Sequence, residues 1–173
     1  MNAKHNFCSA CGNRYPEPLI WPRACSCGDI AYINPKPVVV GLVEVGYGGL
    51  LVGKRNHQPK LGQWALIGGF MEINETWQEG LAREIWEETG IIVNPGDFRA
   101  FGQPRTLVQI QEILIFGTGP RISERELEVF VPNSEMSALR VINGPEELGF
   151  PLHSEMARIW FETQHNGQRI CKD

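Results

Sequence analysis

Three glutamates lie close together in the sequence at positions 84, 87 and 88, directly after Arg83. On a helix, which turns about 100° per residue, these three side chains fall within an arc of roughly 100°. Carboxylates three and four residues apart repel each other and weaken an isolated helix by about 0.2–0.5 kcal/mol per pair. A bound cation would offset that repulsion. The segment therefore indicates a cation site, and the alternative is a solvated acidic face.

Five cysteines form a second group with chemistry of its own. Cys8 and Cys11 are separated by two residues, Cys25 and Cys27 by one, and glycine follows each pair. Glycine allows a tight turn that points backbone amides at the sulfurs, and two such turns build a tetrahedral four-cysteine zinc site. The alternatives are a redox pair or a site that has lost its metal. Four thiolates leave no open coordination position, so the predicted zinc is structural or dimer-forming, and we interpret Cys171 as a bystander.

Residues 1–36 carry these cysteines as a small N-terminal unit, the predicted zinc ribbon. A segment this short buries too little apolar surface to fold alone, so zinc would supply its folding energy. Its charged residues sum to +2, which is only weak support for nucleic-acid binding: Lys4, Arg14, Arg23 and Lys36 against Glu17 and Asp29. An extended hinge at 32–37 leads into the main domain, predicted at 37–173, because its prolines disfavour helix.

The glutamates require a helix to hold them, and the sequence predicts one from Thr76 to Gly90. Asn74 or Thr76 can cap its first turn, and Gly90 supplies the left-handed residue that commonly ends a helix. One face is predicted to bury against a sheet, and it carries Leu81, Ala82, Ile85 and Thr89. Gly68 and Gly69 form the loop that leads into this helix.

The remaining elements are predicted from hydrophobic pattern and turn residues. Residues 38–45 and 50–55 form a hairpin around a glycine-rich turn, and 64–67 form a short strand before the glycine loop. Further strand candidates lie at 91–93, 98–101, 107–116 and 127–131. A turn of helix is predicted at 145–148. The last helix, 153–163, should pack on the sheet with residues at helical spacing: Met156, Ile159, Trp160 and Thr163.

Length and composition restrict the class of protein. With 173 residues, 42% of them apolar and 21% charged, the chain suffices for one domain with a core plus a small appendage. The net charge of −4 gives no general reason to expect nucleic acid as a partner. No apolar run approaches the roughly 18 residues that span a bilayer, and the N-terminus lacks the apolar core of a signal peptide. We therefore expect a cytoplasmic protein that does not contact membranes.

The glycine loop and the helix match the Nudix box, G-x5-E-x7-R-E-U-x-E-E-x-G-U with U aliphatic, at every specified position. The matching residues are Gly69, Glu75, Arg83, Glu84, Ile85, Glu87, Glu88, Gly90 and Ile91. The sequence therefore resembles a Nudix hydrolase. The resemblance implies the α/β class, an α/β/α sandwich with a mixed sheet. It also implies hydrolysis of the pyrophosphate bond of a nucleoside diphosphate linked to another group, with release of AMP.

The resemblance also implies a role for individual residues. Catalytic Mg²⁺ or Mn²⁺, which prefers oxygen ligands, would be bound by Glu84, Glu87 and Glu88. The main-chain carbonyl of Gly68 or Gly69 would complete the coordination. Arg83 lies four residues before Glu87 and can hold that glutamate in position. Glu75 would anchor the loop to the helix.

The general base that activates water differs between Nudix subfamilies, so several glutamates remain candidates. Glu84 is one. Glu128, in the predicted strand 127–131 facing the helix, is another, with a merely solvated strand-edge carboxylate as the alternative. Glu124 and Glu126 lie nearby on the preceding loop.

A zinc ribbon before a Nudix domain resembles two groups of enzymes. NADH pyrophosphatases carry S-Q-P-W-P-F-P after the box, where residues 102–107 here read GQPRTL and lack the aromatic residue and later prolines. The second group is shorter and includes enzymes that act on ADP-ribose and FAD, and the segments 33–41 and 54–59 look closer to it. We therefore expect ADP-ribose or FAD ahead of NADH as the substrate. Residues 66–69 read LIGG, without the proline that many relatives carry there.

Two other functions remain open. A nucleoside triphosphate pyrophosphatase would use the same box on another nucleotide. A catalytically idle Nudix fold could sense a nucleotide, although a retired site has no need to retain every glutamate of the box. The expected partners are a small nucleotide substrate and, by analogy with relatives, a second copy of the chain in a homodimer.

Overall fold

The computed structural model describes residues 6–107 and 111–170, with the backbone alone for 165–170. Lys4, Cys171 and positions 108–110 of the predicted strand 107–116 lie outside the described residues. In chain order the strands are β1 (Arg23–Ala24), β2 (Ile30–Ala31), β3 (Lys36–Leu42), β4 (Glu44–Val45), β5 (Gly49–Arg55), β6 (Trp64–Ala65), β7 (Ile67–Phe70), β8 (Arg99–Ala100), β9 (Arg105–Leu107), β10 (Glu112–Thr118) and β11 (Met136–Ile142). The helices are α1 (Trp77–Thr89) and α2 (Pro151–Ile170), and 3-10 turns lie at Pro95–Asp97 and Glu124–Val129.

The strands after the cysteine-bearing segment form two sheets. The larger has the order β7-β3-β10-β8, with β9 paired to β10, and within it β3 and β10 run parallel while the other pairs run antiparallel. The smaller is antiparallel, with the order β11-β5-β4 and β6 paired to β5. The parallel pair makes the larger sheet mixed, as the sequence predicts.

Helices cover both faces of this strand layer, because strand residues alternate between two cores. On one face Val39, Leu51 and Ile67 pack with Leu81 and Ile85 of α1. The opposite face packs against α2 through a second set of residues: Val40, Val52, Leu66, Met156 and Trp160. The α/β/α arrangement and the packing of the last helix are therefore confirmed.

The chain passes from one sheet to the other at two buried residues, Val43 and Leu66. Val43 separates β3 from β4, so the predicted hairpin is correct only for β4 and β5, and the longer β3 belongs to the larger sheet. At the second switch the Leu66 N–H donates to Nδ1 of His153 on α2, at 3.2 Å. Burial lowers the pKa of His153 to about 3, so the ring stays neutral and keeps the lone pair that accepts this hydrogen bond.

The predicted strand 107–116 is divided between β9, which ends at Leu107, and the antiparallel β10, which begins at Glu112. Three further predicted elements are wrong. Residues 91–93 are irregular chain in which Ile91 and Val93 are buried, so their alternation reflects packing against the core rather than strand pairing. Residues 145–148 are not helical, and α2 begins instead at Pro151, a residue type suited to a first helical turn. Residues 127–131 are not a strand, because Glu124–Val129 forms a 3-10 turn. The Glu126 carboxylate accepts the Ser123 N–H at 2.7 Å, a local capping interaction that favours this turn.

Within the described part of the chain, none of the helices combines the length and the apolar character that crossing a bilayer requires.

Candidate functional site

The helix that carries the glutamates begins and ends with strong local signals. Thr76 is its N-cap: its hydroxyl accepts the Glu79 N–H at 3.3 Å, and the Glu79 carboxylate accepts the Thr76 N–H at 2.7 Å. This reciprocal pair satisfies two backbone donors that the first turn leaves free. Gly90 ends the helix with φ of 78°, and its N–H donates to the Trp86 carbonyl at 2.7 Å. The predicted helix is confirmed, with Thr76 rather than Asn74 as its cap.

Arg83 connects the helix to the loop that precedes it. Its guanidinium donates to both carboxylate oxygens of Glu75, at 3.1 and 2.8 Å, and to the main-chain carbonyl of Phe70 at 2.9 Å. It also donates to Glu84 and to Glu87, each at 2.9 Å. The hydrogen bonds from Arg83 hold the pKa of the Glu75 carboxyl below its usual value. The predicted contact between Arg83 and Glu87 is present, and Glu75 does lie where it can tie the loop to the helix.

Gly69, the first residue of the box, and Gly68 before it let β7 lie closer to α1 and to β3 than a residue with a side chain could. A Cβ atom on Gly69 would lie 2.5 Å from a carboxylate oxygen of Glu84. Gly68 has φ of 149°, and a Cβ atom there would lie 2.1 Å from the Val39 carbonyl oxygen. Because the backbone can approach this closely, the Gly68 N–H donates to the Glu88 carboxylate at 3.0 Å.

Three carboxylates converge at this place: one oxygen each from Glu84, Glu88 and Glu135 lies within 4.8 Å of the others. We call these residues the glutamate cluster. Glu84 and Glu88 are buried, with 7% and 1% of their surface exposed, whereas Glu135 is exposed. Burial raises the pKa of Glu84 and raises that of Glu88 well above its usual value. Three oxygen ligands held this close fit a hard divalent cation, which would favour their ionised forms.

Glu135 belongs to the cluster although it was not among the residues predicted from the sequence. Asn133 positions it: its side-chain amide donates to the Glu88 carbonyl at 3.1 Å, and its side-chain oxygen accepts the Glu135 N–H at 2.9 Å. Asn133 thus supplies a hydrogen-bond donor to a free carbonyl at the end of α1, and it starts the turn that leads into β11. The one local signal in the sequence that could have indicated this turn, and with it Glu135, is an asparagine two residues before a glutamate.

The other predicted glutamates lie elsewhere. Glu87 projects from α1 with 40% of its side chain exposed and is paired with Arg83. Glu128 is exposed on the 3-10 turn Glu124–Val129, so its predicted position on a strand facing the helix is wrong. Glu124 and Glu126 are exposed on the same turn, and Glu126 is engaged in capping Ser123.

The buried carboxyls should make the metal-free protein less stable as pH rises. Because the folded-state pKa of Glu88 is raised, the folded protein holds this proton more tightly than the unfolded chain, whose carboxyl titrates near its ordinary pKa of 4.5. Its contribution to the free energy of unfolding is therefore lost as pH rises from that value through the folded-state pKa. His153, with its lowered pKa, acts in the opposite direction, but only below the ordinary histidine pKa of 6.5.

As pH rises from about 4.5 to 8 in chelator, we expect the melting temperature of the wild type to fall relative to that of the Glu88→Gln variant. Thermal denaturation of both proteins over that range measures how far their melting temperatures diverge. The contributions of the other titrating groups are the same in both proteins and cancel in this difference. Adding Mg²⁺ to the wild type should reduce the fall. Identical slopes for the two proteins would show that Glu88 is ionised at no cost in the folded state.

The four paired cysteines form a second cluster, whose sulfurs all lie within 4.8 Å of one another. The sulfurs of Cys8 and Cys27 are 3.8 Å apart, and those of Cys11 and Cys25 are 3.5 Å apart. A tetrahedral zinc site with Zn–S bonds of about 2.3 Å requires sulfurs separated by about 3.8 Å. The cysteine cluster therefore fits zinc, and its apolar support is small, comprising Tyr15, Leu19 and Ala31.

The unequal spacing of the two pairs is absorbed by their turns. In the first, the Gly12 N–H donates to the Cys8 carbonyl four residues earlier, whereas in the second the Gly28 N–H donates to the Cys25 carbonyl three residues earlier. The strands β1 and β2 flank the second turn. The backbone N–H of Cys27 is the main cause that lowers the pKa of the Cys25 thiol to about 7, which favours the thiolate that zinc requires.

Replacing Cys25 by serine is expected to abolish zinc binding and to unfold the ribbon without abolishing chemistry at the glutamate cluster. The reason is that a core this small cannot hold its fold without the metal. Elemental analysis of the purified protein measures zinc, and limited proteolysis measures the order of residues 6–36. Ser26→Ala, an exposed change in the same turn, is the matched control. Freshly purified wild type without zinc would contradict this prediction.

Comparison with known proteins places these features in context. The NUDIX domain family matches residues 35–162. The crystal structure of a NUDIX hydrolase from Nitrosomonas europaea is 29% identical, covers 94% of this chain and 93% of that one, and superimposes with a TM-score of 0.74.

Two curated relatives match a shorter part of the chain. The NAD-capped RNA hydrolase NudC of Haemophilus influenzae is 32% identical over 101 residues, which is 57% of this chain and 38% of that protein. The ADP-ribose pyrophosphatase of Methanocaldococcus jannaschii is 41% identical over 81 residues, or 47% of each chain. The chain thus spans less than half the length of either curated relative.

Proposed function

This chain belongs to the Nudix family, and from that premise we propose that it hydrolyses the pyrophosphate bond of a nucleoside diphosphate linked to another group. The observation that carries the proposal is the glutamate cluster, in which two buried carboxylates of the Nudix box and Glu135 converge. Buried acids this close are unfavourable unless they are protonated or bind a cation. Phosphoryl transfer is the reaction for which cations held in this way are most useful.

Glu84, Glu88 and Glu135 would hold Mg²⁺ or Mn²⁺, together with the main-chain carbonyl of Gly68 or Gly69. The bound cation would neutralise charge that develops on the phosphate oxygens and would lower the pKa of a coordinated water. The residues around it have supporting roles. Arg83 and Glu75 hold the loop 70–75 against α1, and the glycines allow the backbone to reach the carboxylates.

The general base is proposed to be a member of the glutamate cluster. Glu135 is favoured over Glu84 for two reasons. Its side chain is exposed, so it can exchange a proton with solvent. Glu84 is buried and accepts a hydrogen bond from Arg83 at 2.9 Å, which engages one of its oxygens.

For the substrate we propose ADP-ribose or FAD ahead of NADH. The similarity to a protein named ADP-ribose pyrophosphatase supports the first, and the similarity to proteins named NAD-capped RNA hydrolase supports the general class of adenine dinucleotides. Phe70 is suited to contact a base: it follows the glycine loop, 48% of its surface is exposed, and its carbonyl is held by Arg83.

The exposed apolar side chains of the ribbon support a homodimer as part of this proposal. Phe7, Ile20, Ile30 and Tyr32 all have more than half of their surface exposed, and a second copy of the chain would remove them from water if they form one patch. Light scattering of the purified protein measures the mass directly.

The test of the proposed reaction is a hydrolysis panel with purified protein and Mg²⁺ or Mn²⁺. It contains ADP-ribose, FAD, NADH, NAD⁺ and nucleoside triphosphates, with the Glu88→Gln protein as the blank. We expect AMP to be released from one of the first four, and not in the blank. A triphosphate as the best substrate would select the triphosphate pyrophosphatase instead, and binding without turnover of any compound would select the sensor.

A further inference from the structure

Arg55, the last residue of β5, is a buried cation that the Nudix box does not include. Only 9% of its surface is exposed. Its Nε donates to the Pro59 carbonyl at 2.7 Å, its Nη2 lies 3.1 Å from Nε2 of His57, and the guanidinium carbon lies 5.3 Å from the centre of the Phe150 ring. Among the residues that the structure describes, no carboxylate oxygen lies within 4.0 Å of this guanidinium.

The hydrogen bonds of His57 fix how the guanidinium is oriented. Nδ1 of His57 lies 2.9 Å from the Gln58 carbonyl, so Nδ1 carries the hydrogen and donates it. Nε2 then has the lone pair and accepts from Arg55. The loop 57–59 thus occupies two of the five N–H groups of the guanidinium and leaves three for another acceptor.

Arg55 also stands beside the glutamate cluster. It pairs with Met136 across β5 and β11, and the next residue, Asn56, donates its N–H to the Glu135 carbonyl at 2.7 Å. Burial lowers the pKa of Arg55, while the charges of Glu88 and Glu135 raise it. The guanidinium is therefore close enough to these carboxylates for their charges to act on it, but beyond contact distance.

A buried charge without an ion-pair partner is costly, and binding of an opposite charge beside it would offset that cost. The nearby glutamates cannot neutralise Arg55 if they are bound to cations. An anion that binds the same cations would reach the three free N–H groups, and arginine is well suited to phosphate oxygens. We propose that Arg55 binds a phosphate oxygen of the substrate and so holds the pyrophosphate against the glutamate cluster. This inference rests on the proposed function, because it identifies the diphosphate as the part of the substrate that is recognised.

The test uses inorganic pyrophosphate with Mg²⁺ as the probe, titrated calorimetrically into the full-length protein. Arg55→Met keeps the length of the side chain and removes the charge, and we expect it to weaken binding by about 10- to 100-fold. Arg55→Lys keeps the charge without the planar fork, so its loss should be clearly smaller. Arg140→Met is the matched control: that arginine is also partly buried, stacks 4.6 Å from the Trp64 ring centre and pairs with Glu146, away from the cluster. It should bind as the wild type does.

The outcomes separate a phosphate contact from a structural role. If Arg55 only fixed the loop 57–59, lysine and methionine would impair binding and lower the melting temperature equally, and the proposal would be overturned. Unchanged affinity in Arg55→Met would overturn it as well. If Arg55→Met does not fold, Arg55→Lys decides at matched melting temperature: we expect at least a threefold loss, about what a lost fork contact gives, and unchanged affinity rejects the contact.

This test can fail independently of the proposed reaction. Arg55-dependent pyrophosphate binding in a protein that hydrolyses nothing in the panel would uphold the anion site and reject the hydrolase. Turnover in the panel, with pyrophosphate affinity and KM both unchanged in Arg55→Met, would uphold the hydrolase and reject the contact.

Discussion

Replacement of Glu88 by glutamine is expected to lower kcat by about 10³-fold or more, because it removes a charged ligand of the catalytic cation. The substitution is close to isosteric. The amide oxygen of glutamine can still accept the Gly68 N–H, which lies 3.0 Å from the Glu88 carboxylate. Since a neutral amide replaces a buried acid, the fold should be retained. Steady-state kinetics at saturating Mg²⁺, Mn²⁺ titration and thermal denaturation measure the three effects.

The control for this variant is Glu162→Gln on α2, where an exposed glutamate pairs with Arg158 at 2.6 Å. It removes the same charge far from the cluster and should leave kcat unchanged. Glu87→Gln is expected to lose activity as well, since Glu87 is a box residue held by Arg83. Near-normal turnover in both Glu87→Gln and Glu88→Gln would place the metal site elsewhere.

Replacement of Glu135 by glutamine should lower kcat by about 10²-fold, a loss typical of removing a positioned base or a charged ligand. The residue shares the glutamate cluster with Glu84 and Glu88. Glu128→Gln should change kcat by less than about threefold, because Glu128 is exposed on a 3-10 turn outside that cluster, where a carboxylate is simply solvated. The pH–rate profile of each variant reports whether the acidic limb has been lost.

This pair of variants decides between two assignments of the same role. A large loss in Glu128→Gln with normal activity in Glu135→Gln would restore the assignment made from the sequence. It would also require the turn Glu124–Val129 to move towards α1 when substrate binds.

The catalytic helix could be predicted because its determinants are local. Thr76, Glu79 and Gly90 mark its ends, and Arg83 with the glutamates defines one face. The cysteine cluster could be predicted for the same reason, since spacing within each pair sets which sulfurs can meet. In both cases the turns and caps that place the side chains are local, although the sulfurs that meet belong to different pairs.

The parts that could not be predicted depend on contacts between distant residues. Glu135 reaches the cluster because β11 pairs with β5 and Asn133 binds the end of α1, 45 residues earlier. The segment 127–131 has the composition of a strand, yet the capping interaction of Ser123 with Glu126 turns it into a 3-10 helix. Hydrophobic alternation at 91–93 reports burial, and nothing in it distinguishes a paired strand from irregular chain.

The passage of the chain between sheets at Val43 and Leu66 has a consequence for how the domain unfolds. The chain runs from β3 in the larger sheet directly into β4 in the smaller sheet, and from β6 in the smaller sheet directly into β7 in the larger. The two sheets are therefore joined covalently at two places. Opening one sheet would therefore pull on the strands of the other, and the Leu66 N–H, bonded to His153, adds α2 to the same unit. The two sheets should lose their hydrogen bonds in one cooperative event, so the glycine loop and the glutamates stay in place until the whole domain unfolds.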